Sequence, residues 1–86
     1  MDDETIKKYA YVIISQYRVK TIKSLSGDVK IPTKIAKESG IRINHVSNVL
    51  SDLKSEGIAE CVNEEAKKGR MYRLTDLGEE IARNLD

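Results

Sequence analysis

The sequence predicts one small α+β domain, mainly α, and three observations predict it. From Ile35 to Leu50, small, glycine and apolar residues fall where two short helices would meet across a sharp turn. Apolar residues recur at helical spacing on both sides of that stretch, in Val19, Ile22 and Leu25 and again in Leu77, Ile81 and Leu85. Two short strand-like runs, Ile58 to Val62 and Arg70 to Leu74, flank the polar segment 63 to 69 and form a hairpin with a long tip. At 86 residues the chain has room for one core, hiding about 60 to 65% of the unfolded chain's surface.

The elements follow in order. In residues 5 to 14, Ile6, Tyr9, Ala10 and Ile13 keep helical spacing, yet the run Tyr9 to Ile14 is rich in the aromatic and β-branched types that suit a strand, so both structures stay open. The run Tyr9 to Ile14 is too apolar to lie exposed at a terminus and must pack on its own core or on a second copy, which makes the segment 1 to 14 a candidate dimerisation element. Ser15 is the N-cap of a helix through Leu25, with Tyr17 as a flanking contact, and Ser26-Gly27-Asp28 closes it. Val29 to Ile31 is short and extended, and Pro32 suits the first position of the next helix, where its missing N–H has no partner to lose. That helix runs to Ser39, and Gly40 takes the positive φ that ends it. A helix from Ile43 to Glu56 carries Val46, Val49, Leu50 and Leu53 on one face, and Gly57 stops it. Thr75 caps a last helix to residue 85 with Asp76, Glu79 and Glu80 in its opening turns.

Charge is unevenly placed. The net charge is only +1, but residues 18 to 45 carry seven cations against two acids, and residues 66 to 73 add four more cations. Residues 52 to 65 hold five acids against Lys54, and the tail from Leu74 is acidic as well. One face is then basic and another acidic, which allows a polyanionic partner despite the small total. No apolar run approaches the ~20 residues of a membrane span, and the acidic start Met1-Asp2-Asp3-Glu4 and single Cys61 favour the cytoplasm.

The order helix, short strand, helix, helix, two-stranded wing, helix resembles the winged helix-turn-helix over nearly all of residues 15 to 85. Three stretches carry the likeness: Ile35-Ala36-Lys37-Glu38-Ser39-Gly40-Ile41, then Val46-Ser47-Asn48-Val49-Leu50-Ser51-Asp52-Leu53-Lys54-Ser55-Glu56-Gly57-Ile58, then Lys68-Gly69-Arg70-Met71-Tyr72-Arg73-Leu74-Thr75-Asp76-Leu77-Gly78. Together they resemble compact prokaryotic or archaeal MarR-type and ArsR-type transcriptional regulators. The resemblance implies a helix-turn-helix at 32 to 56, a wing at 58 to 74, a C-terminal helix at 75 to 85, double-stranded DNA as partner and a homodimer. The long terminal dimerisation helices of larger members have no counterpart in these residues, and no effector ligand can be named.

Opposite the apolar stripe of the 43 to 56 helix stand Asn44, Ser47, Asn48 and Ser51, short polar side chains able to meet base edges. Arg42 at the turn can reach phosphate or a base, and His45 on the flank can meet a phosphate or pair locally. Thr33 and Lys34 lie at a helix start whose N–H groups suit a phosphate. Lys67, Lys68 and Arg70 surround Gly69 at the wing tip and can flank a groove. Tyr17 and Arg18 are further candidates for a phosphate contact. Symmetry would set two reading helices ~34 Å apart on the duplex.

Other chemistries find little support. One Cys and one His cannot supply the three or four ligands of a zinc site within a chain. No nucleophile, base and orienting acid stand together, and no glycine loop cradles a nucleotide, so the expectation is a non-enzyme without cofactor or metal. The rival is a winged-helix adaptor that docks a protein partner through Glu56, Glu60, Glu64 and Glu65, with RNA or single-strand binding behind it.

Overall fold

The computed structural model describes residues 1 to 86. Its elements are α1 (Asp3–Ile13), α2 (Gln16–Leu25), α3 (Pro32–Ser39), α4 (Ile43–Ser55), β1 (Ala59–Cys61), β2 (Tyr72–Leu74) and α5 (Asp76–Arg83). The mainly helical α+β expectation holds, and the ambiguous amino-terminal run is a helix. Asp2 starts it by accepting the Thr5 N–H at 2.8 Å, with Asp3 and Glu4 in the first turn where the dipole favours acids. Thr5 and Val12 are buried and Tyr9 and Tyr11 half-buried on one side, so packing on the body outweighs the strand preference of the β-branched run.

Ser15 caps α2 as expected, and Thr75 caps α5 by accepting the Gly78 N–H. Arg18 lies over the Tyr11 ring at 3.7 Å and donates to the Tyr11 carbonyl at 2.7 Å, fastening α2 to α1. Its half-buried guanidinium is thereby engaged on α1. Gly40 sits at φ 75° after α3, the left-handed value that lets the chain turn sharply into α4.

The strands are shorter than the sequence suggested. The ladder pairs Ala59 with Leu74, Glu60 with Arg73 and Cys61 with Tyr72, and one further bond runs from the Val62 N–H to the Met71 carbonyl. Beyond it the wing leaves the sheet. The extended segment 29 to 31 joins on the other side through the single bridge Lys30 to Tyr72, with bonds of 3.0 and 2.9 Å. The core lies between α2, α3, α4 and α5 and the base of the wing, where Ile22, Leu25, Ile35, Leu50, Leu53, Ile58 and Ile81 are fully buried. Thr21 is buried among them with its hydroxyl unpaired. Gly78 lets α5 approach Ile58, the residue just before β1, so closely that a Cβ there would stand 2.1 Å from the Ile58 carbonyl oxygen. α5 is thus seated directly on the base of the wing.

Candidate nucleic-acid interface

Helix α4 buries Val46, Val49, Leu50 and Leu53 and leaves Asn44, Ser47, Asn48 and Ser51 exposed on the opposite side. The body's own apolar side chains do not cover them. Arg42, at the N-cap of α4, is exposed, and so are Thr33 and Lys34 in the first turn of α3. Lys37, one turn further along, lines an open depression with Thr33, Lys34 and Glu38. Sequence patterning had passed over Lys37, although its spacing of three and four from Lys34 and Thr33 sets it on their helix face.

The helix starts differ in a way that matters for anions. α1, α2 and α5 each have a side-chain cap, from Asp2, Ser15 and Thr75. α3 and α4 begin at Ile31 and Arg42 with none, so the N–H of Thr33 in α3 and those of Ile43 and Asn44 in α4 remain open to an outside acceptor, while Pro32 has none to offer and those of Lys34 and His45 bond to the Ile31 and Arg42 carbonyls.

His45 is placed apart from the outward residues. It is half-buried, and its ring meets that of Tyr17 at a centroid distance of 4.7 Å, forming part of the seam between α4 and α2. Tyr17, 44% exposed, forms the outer edge of that seam. At the wing tip Lys67 and Lys68 are exposed and in no ion pair. Arg70 is also exposed, but its guanidinium donates to the carbonyls of Ala66 at 2.8 Å and Glu64 at 3.0 Å. Of the three wing cations, the structure leaves two projecting freely.

Ion pairing separates the two faces. Three of the four glutamates that would form an acidic docking face are engaged within the chain: Glu56 with Lys8 at 2.8 Å, Glu60 with Arg73 at 2.7 Å, and Glu64 with Lys54. The bond to Glu56 raises the Lys8 pKa, and the bond from Lys54 lowers that of Glu64. Lys30 likewise holds Glu38 at 2.5 Å and lowers its pKa. None of Lys34, Lys37, Arg42, Lys67 and Lys68 takes part in such a pair. These five cations on α3, the turn into α4 and the wing therefore remain unneutralised by any partner within the chain.

Three helices with a turned pair, a two-stranded wing and a closing helix make up the winged helix-turn-helix fold. Solved structures share it. ZitR of Lactococcus lactis, in its C30AH42A mutant form, superposes with a TM-score of 0.70 at 15% identity over 81% of this chain and 49% of that one. The MarR family transcriptional regulator SPO1453 from Silicibacter pomeroyi gives 0.64 at 20% identity, over 95% and 61%. The homodimeric winged helix-turn-helix DNA-binding domain of Mb0332 from Mycobacterium bovis, a possible ArsR-family regulator, gives 0.67 at 22% identity, over 98% and 80%. The chain spans about half the length of the ZitR structure and about three fifths of SPO1453. No protein-family model matches the sequence, and no curated protein matches it significantly. No helix is long and apolar enough to cross a membrane.

Proposed function

We propose that the protein is a double-stranded DNA-binding transcriptional regulator that works as a homodimer in the cytoplasm, occluding a promoter or recruiting to it. The observation that carries this is the set of unpaired cations on α3, the α3–α4 turn and the wing, surrounding an exposed row of short polar side chains on α4. Lys34, Lys37, Arg42, Lys67 and Lys68 supply phosphate contacts, and the open N–H groups of α3 and α4 add to them. Asn44, Ser47, Asn48 and Ser51 lie where base edges would pass, and Asn can make the paired bonds that distinguish adenine. Thr33 supports the phosphate contact of Lys34. The adaptor alternative is less favoured, because three of its four glutamates, Glu56, Glu60 and Glu64, already have internal partners and only Glu65 is unpaired.

A second copy fits the outer side of α1, where Ile6, Ile13 and Ile14 are 49, 48 and 79% exposed and Ala10 is open between them. Pairing there removes an apolar stripe from water and gives a twofold reader of a near-palindromic site. The test is retention of duplex DNA across a salt series. Five phosphate contacts per protomer, hence ten per dimer, give a slope of log affinity on log salt of about −9. Asn48→Ala should cost about 1 to 3 kcal/mol per half-site on the preferred sequence and little elsewhere, while Lys68→Ala weakens every sequence and shallows the slope of the dimer by about 1.8. Salt-independent or absent retention would refute the proposal.

A further inference from the structure

We propose that Asn63 and Arg70 are positioning residues that hold the wing tip in one shape, so that Lys67 and Lys68 meet a duplex already arranged. This rests on the DNA-binding function above. Asn63 closes the loop from both ends: its Oδ1 accepts the Met71 N–H at 2.7 Å, and its Nδ2 donates to the Gly69 carbonyl at 3.1 Å. Its own carbonyl accepts the Ala66 N–H at 3.0 Å, so one residue ties three points of the tip together. Arg70 spans the inside through its bonds to Ala66 and Glu64, and the carboxylate of Glu64 pairs in turn with Lys54 in the last turn of α4. The tip is thereby fixed both in itself and relative to the reading helix.

Arg70 would ordinarily be assigned to the phosphates along with its lysine neighbours. Its planar fork is occupied by two carbonyls, a task that a single ammonium cannot reproduce. Lys67 and Lys68 bond to nothing in the chain and project from a backbone whose ordering cost is met on folding instead of on binding.

The test uses the whole chain with Asn63→Ala, Arg70→Lys and Lys68→Ala. Two of these leave the charge unchanged, and all are exposed or half-buried, so helical circular dichroism should stay at the wild-type level. In the first measurement, without DNA, trypsin cleavage after Lys67 and Lys68 is followed by mass spectrometry; Asn63→Ala and Arg70→Lys should be cut about tenfold faster than wild type, because the tip opens locally. In the second, random duplex is retained across a salt series. Lys68→Ala should shallow the slope of the dimer by about 1.8, whereas Asn63→Ala and Arg70→Lys should bind at least about fivefold more weakly with no cation removed. Wild-type binding and wild-type protease resistance in Arg70→Lys would make Arg70 an ordinary phosphate contact and overturn the proposal, as would an unaltered cleavage rate in Asn63→Ala. If wild-type protein retains no duplex, the DNA-binding function falls, and with it the role given to Lys67 and Lys68. The digestion still decides separately whether the two residues brace the tip.

Discussion

Gly78→Ala is the most demanding test of how the wing is seated. By helix propensity alone the change should help, since alanine is favoured over glycine by about 1 kcal/mol inside a helix. The new Cβ would lie 2.1 Å from the Ile58 carbonyl oxygen and 3.0 Å from the Leu74 Cβ. A carbon and a carbonyl oxygen rest no closer than about 3.3 Å, so α5 must withdraw from Ile58 by more than about 1 Å. No rotamer change can relieve this, because the obstacle is backbone. Withdrawal also strains the bonds that fix the start of α5, from the Thr75 N–H to the Ile58 carbonyl at 3.0 Å and from the Thr75 hydroxyl to the Gly57 carbonyl at 2.6 Å. Overpacking of this kind costs about 3 kcal/mol at the upper end of its usual range, which leaves a net loss near 2 kcal/mol after the propensity gain. For a domain of this size that lowers Tm by about 8 to 16 °C. Urea unfolding followed by helical circular dichroism, with thermal melts alongside, measures it. A Tm equal to or above that of wild type would refute the close approach of α5 to the wing base.

Thr21→Val replaces a buried, unpaired hydroxyl with a methyl of similar shape and should stabilise the protein by about 1 kcal/mol; urea midpoints would show it, and a destabilised variant would mean that the hydroxyl has a partner. Ile13→Asp places a charge on the outer stripe of α1 and should convert a dimer to a monomer in analytical ultracentrifugation while the monomer's helicity persists. An unchanged sedimentation coefficient would move the interface elsewhere. The pair Lys30–Glu38 depresses the Glu38 pKa from its ordinary 4.5, so its contribution is complete above 4.5 and disappears as pH falls through the lower folded value. The Tm difference between wild type and Glu38→Gln should accordingly be present at pH 7 and close on the acid side of 4.5; a gap that persists at low pH would mean that the carboxylate charge is not what matters.

Much of the architecture was legible because periodicity and punctuation agree. Ser15, Pro32, Gly40, Gly57 and Thr75 mark boundaries through local chemistry, and the structure places each at an element end. Residues 5 to 14 resisted because β-branched residues at helical spacing satisfy both patterns, and only packing on α2 and α5 decides between them. The outward row Asn44, Ser47, Asn48 and Ser51 could be derived from helical spacing. The different circumstances of Arg18, His45 and Arg70 could not, since each depends on a partner in another turn, helix or loop: Tyr11, Tyr17, and the carbonyls of Ala66 and Glu64. Asn63 carried only the ordinary signal of an asparagine in a loop. Similarly, the acidic run from 52 to 65 reads as a surface of one sign until the fold brings Lys8 and Arg73 to it.

That internal pairing leaves a molecule of net charge +1 whose cations on α3, the α3–α4 turn and the wing stay unpaired. In the field of a polyanionic rod such a body would feel little net pull, so which side faces the rod would matter more than how strongly the whole is drawn to it. On the proposed function, its lysine-bearing side would turn inward before contact, and weak overall attraction would keep it from lingering where the bases do not match. Supercharging the opposite side with lysines would hasten arrival and sacrifice that discrimination.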